Sequence, residues 1–346
     1  MSELTFINRH RFLLIRLAIG LILFVVVYSL QASITTTLGV VSSSKPLFLA
    51  LGLLAGLTGD FITALKWRYL LRSAGRRLDI LTAIRATFIG MFYNCFLPGS
   101  VGGDIAKSLL VVNQAGGKAP ALASVFMQRN TGLAALMIVA NAGAWMTDLR
   151  LRLFSANMEF LNDMRFWFAL TALFYVLINM VLLSRTVNAW LWHLAGRQRY
   201  PQSAMQGIGR FILEKARRMH DSLLLFRRGI PISVLISLGT QMTDCLVIFF
   251  AARAIGIDLP YSYFCVFAPA VSVAALLPLT INGIGLRDIM YITLLAGAGK
   301  TANQAAALAW LHLGYILTFA LCGGAIHWAT VKRGKNPVRR DLIQAL

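Results

Sequence analysis

Charge is scarce in this sequence. Only 13% of its 346 residues are charged, roughly half the share of a soluble globular chain. Acidic residues are scarcer still: 13 Asp+Glu stand against 33 Lys+Arg, a formal net charge of +20. Cysteine is sparse as well. Cys95, Cys245, Cys265 and Cys322 form no CxxC and no Cys/His ligand spacing, so no disulfide framework or zinc module follows. The signatures of soluble catalysis are missing: there is no GxSxG and no HExxH. Gly297-Ala298-Gly299-Lys300-Thr301 ends like a phosphate loop, but Leu294 stands where the first glycine belongs, so no ATP motor is encoded there. No cofactor or metal is implied.

Apolar sequence is abundant. The chain is 58% hydrophobic, with a mean hydropathy of +0.70. That composition points to a bilayer as the solvent. A spanning helix needs about 20 mostly apolar residues. Stretches near 13–32, 46–67, 119–147, 165–184, 231–254 and 304–330 qualify. Two further regions, 80–112 and 261–299, are interrupted by Leu97-Pro98-Gly99-Ser100-Val101-Gly102-Gly103-Asp104 and by Leu277-Pro278 through Gly283-Ile284-Gly285. Each half is too short to span. The expected fold is therefore all-α and polytopic, with about six full spans and two broken re-entrant hairpins. Pro-kinked full-length spans are the other reading of the broken segments.

The basic residues cluster between apolar segments, which suits the positive-inside rule rather than nucleic acid. With the N-terminus in the cytosol, most basic clusters fall on one side, and both termini are cytosolic in an inner-membrane-type setting. The chain then reads as a single domain, 1–346. It holds two units of inverted orientation, about 46–147 and 231–330, an arrangement typical of transporters. Between them, about 185–230 carries Met205, Ile208, Phe211, Ile212, Met219, Leu223 and Phe226 at helical spacing, with Arg210, Lys215, Arg217 and Arg218 on other faces. This reads as a basic amphipathic segment on the cytosolic interface.

Ionisable residues inside membrane segments are expensive and mark function by default. Asp60, Asp104, Arg129, Asp244, Arg287, Asp288 and His312 are of this kind. Arg129 and Arg287 offer planar forks suited to phosphate. Gly102, Gly103, Asn282, Gly283 and Gly285 leave backbone N–H groups open at half-helix starts, where anions are favoured. Asp104 is placed to cap its short helix. Asp60 and Asp288 are expected to balance charge or carry protons. Asp244 and His312 weigh more as structural residues.

The block Phe96-Leu97-Pro98-Gly99-Ser100-Val101-Gly102-Gly103-Asp104 resembles the LPGxxGGD-type signature of the lysylphosphatidylglycerol synthase transmembrane-region family, also called flippase-like proteins. Ser124 through Leu133, with Arg129 and Gly132, is similar to its SVxxxRxxGL helix. Leu277-Pro278 through Gly285-Leu286-Arg287-Asp288 is similar to its P…GGxGxRE turn, with Asn282 in place of a glycine and Asp288 in place of a glutamate. The resemblance implies a lipid-translocating or lipid-handling membrane domain, here in a standalone form without the aminoacyl-transferase domain of larger relatives. It implies a membrane lipid as partner: an anionic phospholipid, a hopanoid or a polyprenyl phosphate. A homo-oligomer or an envelope enzyme is the further partner class. The alternatives to a flippase are a non-transporting lipid-binding accessory protein and, behind it, a membrane-embedded headgroup transferase.

Overall fold

In the computed structural model, residues 18–96, 102–146, 158–184, 215, 217–276 and 285–332 are described. They are helical apart from short connections, with no strand among them. In chain order the helices are α1 (Ala18–Leu30), α2 (Ile34–Ser42), α3 (Pro46–Ser73), α4 (Ile80–Phe96), α5 (Gly102–Leu109), α6 (Val112–Ala115) and α7 (Lys118–Met146). They continue with α8 (Met158–Leu183), α9 (217–224), α10 (Ile230–Ala254), α11 (Tyr261–Leu276), α12 (Leu286–Ala296) and α13 (Ala302–Lys332).

Helices α3, α7, α8, α10 and α13 are long and apolar enough to cross a membrane. They match five of the six ranges expected from hydropathy. The remaining range differs. Helix α1 ends at Leu30 and meets α2 at a bend of 87°. The backbone N–H of Ser33, at that bend, donates to Asn303 Oδ1 at 2.7 Å. The fold is that of an all-α polytopic membrane protein.

Packing explains the composition. Large apolar side chains point outward: Leu54, Leu57, Phe61 and Leu65 on α3 are exposed, as are Leu235 on α10 and Leu321 on α13. In a bilayer those side chains meet lipid tails, so burying them offers no gain and helices associate through close backbone approach instead. The inward face of α3 shows this. Side-chain carbons added at Gly52, Gly56 and Gly59 would lie 2.6 Å from Tyr315, 2.6 Å from Phe319 and 2.5 Å from Thr243.

Helix directions follow from paired contacts. Lys45 N–H donates to the Ala254 carbonyl at one end of the α3–α10 pair, and Gly229 abuts Ser73 at the other, so the two run antiparallel. Helix α13 runs with α3, through Gly52–Tyr315 and Gly56–Phe319. Helix α7 runs against α3, with Gln128 bonded to Thr63 and Ser124 to Trp67. The short helices cross over: α4 packs on α13, and α11 packs on α7. Gly323 lies under the Phe88 carbonyl and Gly143 under the backbone of Cys265, so both crossings are backbone-close. Helix α8 packs chiefly on α7. Of the segment 185–230, the described part is Lys215 and the stretch from 217 on, which includes α9.

Candidate functional site

A cavity of about 430 Å³ lies among the long helices and two pairs of short ones, α4 with α5 and α11 with α12. Each pair packs antiparallel as a hairpin, Gly90 meeting Gly103 and Lys107 in the first, Tyr263 meeting Leu294 and Phe267 meeting Tyr291 in the second. Five helices each bring an acid, a guanidinium or an imidazole to its wall: Asp60 from α3, Arg129 from α7, Asp244 from α10, Arg287 from α12 and His312 from α13. The rest of the wall is largely apolar, with Met91, Val247, Val271 and Phe319 among its residues. An apolar hollow with a few convergent polar groups is the usual form of a binding site. Asp60 and Asp244 stand near the middle of α3 and α10, so the cavity sits at mid-depth of the bundle.

The first broken hairpin supplies one edge. Asp104 on α5 is ion-paired with Arg129 Nε. The expectation that Asp104 caps α5 is corrected here. The Gly103 N–H at that helix start donates to Asn94 Oδ1 at 2.9 Å, and Asn94 itself lines the cavity. Asp104 is thereby left to hold Arg129. Gly103 is required sterically, because a Cβ there would run into the Gly90 carbonyl and the Asn94 side chain. Gly102 opens α5 beside it.

The second hairpin is built differently. Gly285 has φ +82, a conformation costly for other residues. A Cβ on it would also lie 2.7 Å from Leu23 of α1. Its N–H donates to Asp288 Oδ2 at 3.0 Å, and the Tyr28 hydroxyl reaches Asp288 Oδ1 at 3.5 Å. Asp288 thus caps its own helix and receives α1. Its neighbour Arg287 reaches the main cavity and also a smaller pocket of about 40 Å³ beside Phe24 and Trp310. Asn282 and Gly283 lie outside the described residues.

Two lysines lie behind the cavity wall. Lys66 and Lys107 belong to the basic residues that flank apolar segments in the sequence; the fold buries both, at 4% and 6% exposure. Lys66 Nζ donates to the Gln128 carbonyl at 3.1 Å and to Ser237 Oγ at 2.9 Å. Lys107 Nζ donates to Gln128 Oε1 at 2.6 Å and stands 4.2 Å above the Trp67 ring, a cation–π contact. Gln128 completes the knot through its Nε2, which donates to the Thr63 carbonyl at 2.9 Å. One glutamine, adjacent in sequence to Arg129, therefore ties α3, α5, α7 and α10 together.

Asp244 and His312, which weigh as structural residues in the sequence, both line the cavity. Their signal was available: a lone ionisable residue in an apolar run. With Lys66, Lys107, Arg129 and Arg287 on one side and Asp60, Asp104, Asp244 and Asp288 on the other, the described residues at and behind the cavity set four bases against four acids. The balance is not pairwise. Asp60 Oδ2 is buried without a hydrogen-bond partner among the described residues.

Compared with known proteins, residues 13–324 match the family model described as the lysylphosphatidylglycerol synthase TM region. No curated protein matches the chain.

Proposed function

We propose, from the premise that this chain belongs to the lysylphosphatidylglycerol synthase TM-region family and is a multi-pass membrane protein of lipid handling, that it moves a phosphate-bearing or envelope lipid between leaflets. The observation that carries this reading is the meeting of Asp60, Arg129, Asp244, Arg287 and His312 around one mid-depth cavity.

A headgroup crossing a bilayer must leave water, and its charge is costly in hydrocarbon. A cavity halfway across that offers charged and hydrogen-bonding groups lowers that barrier while the acyl tails stay in lipid. Arg129 and Arg287 approach from two different hairpin-and-helix sets and supply the planar forks that oxyanions prefer. Acids nearby keep the empty site from holding uncompensated positive charge. Asp60 and Asp244 are the groups we assign to proton or cation exchange during the cycle. We read the antiparallel α3 and α10, each followed by a broken hairpin, as inverted units. Rocking one unit against the other would open the cavity to each side in turn. In this reading the protein acts in an inner membrane with both termini cytosolic, as a transporter rather than an enzyme.

Reconstitution tests it. Purified protein in liposomes carrying fluorescent-headgroup phospholipids should speed the loss of protection from a membrane-impermeant quencher. Arg287→Ala should slow that loss at least tenfold, since hydrogen bonds to charged groups contribute about 1.5–3 kcal/mol each. Equal rates in protein-containing and empty liposomes, across anionic and zwitterionic lipids, would reject translocation of ordinary phospholipids. The accessory lipid-binding reading would then stand in its place.

A further inference from the structure

We propose that His312 is a third headgroup-binding residue, acting as an uncharged donor whose tautomer is set by Tyr291; the inference rests on the lipid-binding reading of the cavity. Tyr291 sits on α12, fully buried, with its ring edge-on to Phe267. Its hydroxyl lies 2.6 Å from His312 Nδ1 on α13. Among the described residues that hydroxyl has no other hydrogen-bond partner.

This settles the direction of the bond. If Nδ1–H donated to Tyr291, the phenolic proton would be buried with no acceptor, at the cost of its full desolvation. The hydroxyl therefore donates to Nδ1. A neutral imidazole whose Nδ1 accepts must carry its proton on Nε2. That second nitrogen has no partner among the described residues, and the ring it belongs to lines the cavity. The result is an N–H presented on the same wall as Arg129 and Arg287, oriented from behind by a buried tyrosine. Positioned donors of this kind are held by an outer partner that fixes the ring.

The chemistry that fits is an oxyanion. Two guanidinium forks supply charge and an uncharged N–H supplies direction, which suits the tetrahedral oxygens of a phosphate ester. A cationic imidazole would add a third positive charge to the wall; the neutral ring adds a hydrogen bond without one. His312 thereby selects for a headgroup with an oxygen to accept the bond and leaves the overall charge of the site alone.

The test separates this inference from the reading beneath it. His312→Gln keeps an N–H donor at a similar reach, and His312→Leu keeps volume without a donor. In the quencher assay His312→Leu should lose about tenfold in rate, and His312→Gln should stay within about threefold of the wild type. If Arg287→Ala slows transport while His312→Leu does not, the role of His312 is overturned and the cavity reading survives. If Arg287→Ala transports like the wild type, the cavity reading itself fails.

A second measurement needs no transport. The full chain, with histidine labelled by 15N, is placed in maltoside micelles, and His312 is assigned by its absence in His312→Leu. Its Nδ1 should read as an unprotonated acceptor and its Nε2 as N–H. The Nε2 signal should move when dihexanoyl phosphatidylglycerol is added, and the Nδ1 signal should move in Tyr291→Phe. A proton on Nδ1, or an Nε2 indifferent to the lipid, overturns the inference. A purely structural histidine would give the latter.

Discussion

Arg129 of α7 is ion-paired with Asp104 of α5, and through that pair a helix of eight residues is pinned to one of twenty-nine. The short helix is the second half of a broken hairpin, so the pin sets where the hairpin ends relative to the cavity. Asp104→Asn and Arg129→Gln should therefore be non-additive. Unfolding of the two single variants and the double variant in detergent should return a coupling of about 0.5–3 kcal/mol. Strict additivity would show that the pair holds nothing.

Gln128 should matter more to the fold than either lysine it serves. Replacing it leaves the Lys107 ammonium buried without its carboxamide acceptor, whereas Lys107→Met removes the buried charge together with its need. Gln128→Leu should cost about 1–3 kcal/mol. Adding Lys107→Met to Gln128→Leu should recover part of that loss. Thermal melting of the three variants checks the order; a double variant worse than the sum of the singles would contradict it.

Glycines divide into those that admit a backbone and those that do not. A methyl at Gly103 meets the Gly90 carbonyl and Asn94, and one at Gly323 meets the Phe88 carbonyl, while one at Gly314 meets nothing within 4 Å. Gly103→Ala and Gly323→Ala should each lower stability by about 1–3 kcal/mol. Gly314→Ala should raise it by about 0.4–1 kcal/mol through the unfolded chain. Melting temperatures measured in one detergent decide this.

Orientation can be read with thiols. Lys45 and Arg77 are exposed and flank opposite ends of α3. With the native cysteines removed, Lys45→Cys should react with a membrane-impermeant maleimide on intact cells, and Arg77→Cys only after permeabilisation. The reverse pattern would invert the proposed topology.

Much of the architecture was legible because a bilayer makes a plain demand: long apolar runs become spans, and Pro/Gly interruptions end them. Five spans follow from that demand alone. The bend after α1 did not, because it depends on a partner far along the chain, Asn303, whose side chain takes the Ser33 N–H where the helix stops. Arg129, Arg287 and Asp60 were legible as charges in apolar sequence. Lys66 was not, since it sits among Arg68, Arg72 and Arg76, where a lysine looks like a boundary charge. Only the packing of α7 and α10 around it, with Gln128 and Ser237 as acceptors, makes it interior. Asp104 was read as a cap because Asp is among the residues that most often cap a helix start. Asn94, eight residues before that helix begins, does the capping instead.

The docking of α1 on the second hairpin bears on how the protein is made. Tyr28 meets Asp288 across 260 positions of sequence. At about 5–20 residues per second, the ribosome needs on the order of 13–52 s to produce one after the other. During that interval the first helix waits in the bilayer without the elements it will finally touch. Its outer face, with Leu21, Ile22 and Val25 exposed, equips it to wait in lipid. Its inner face stays unsatisfied until Gly285 and Asp288 are inserted. Assembly of this protein thus ends where the chain began, with the earliest helix among the last to find its place.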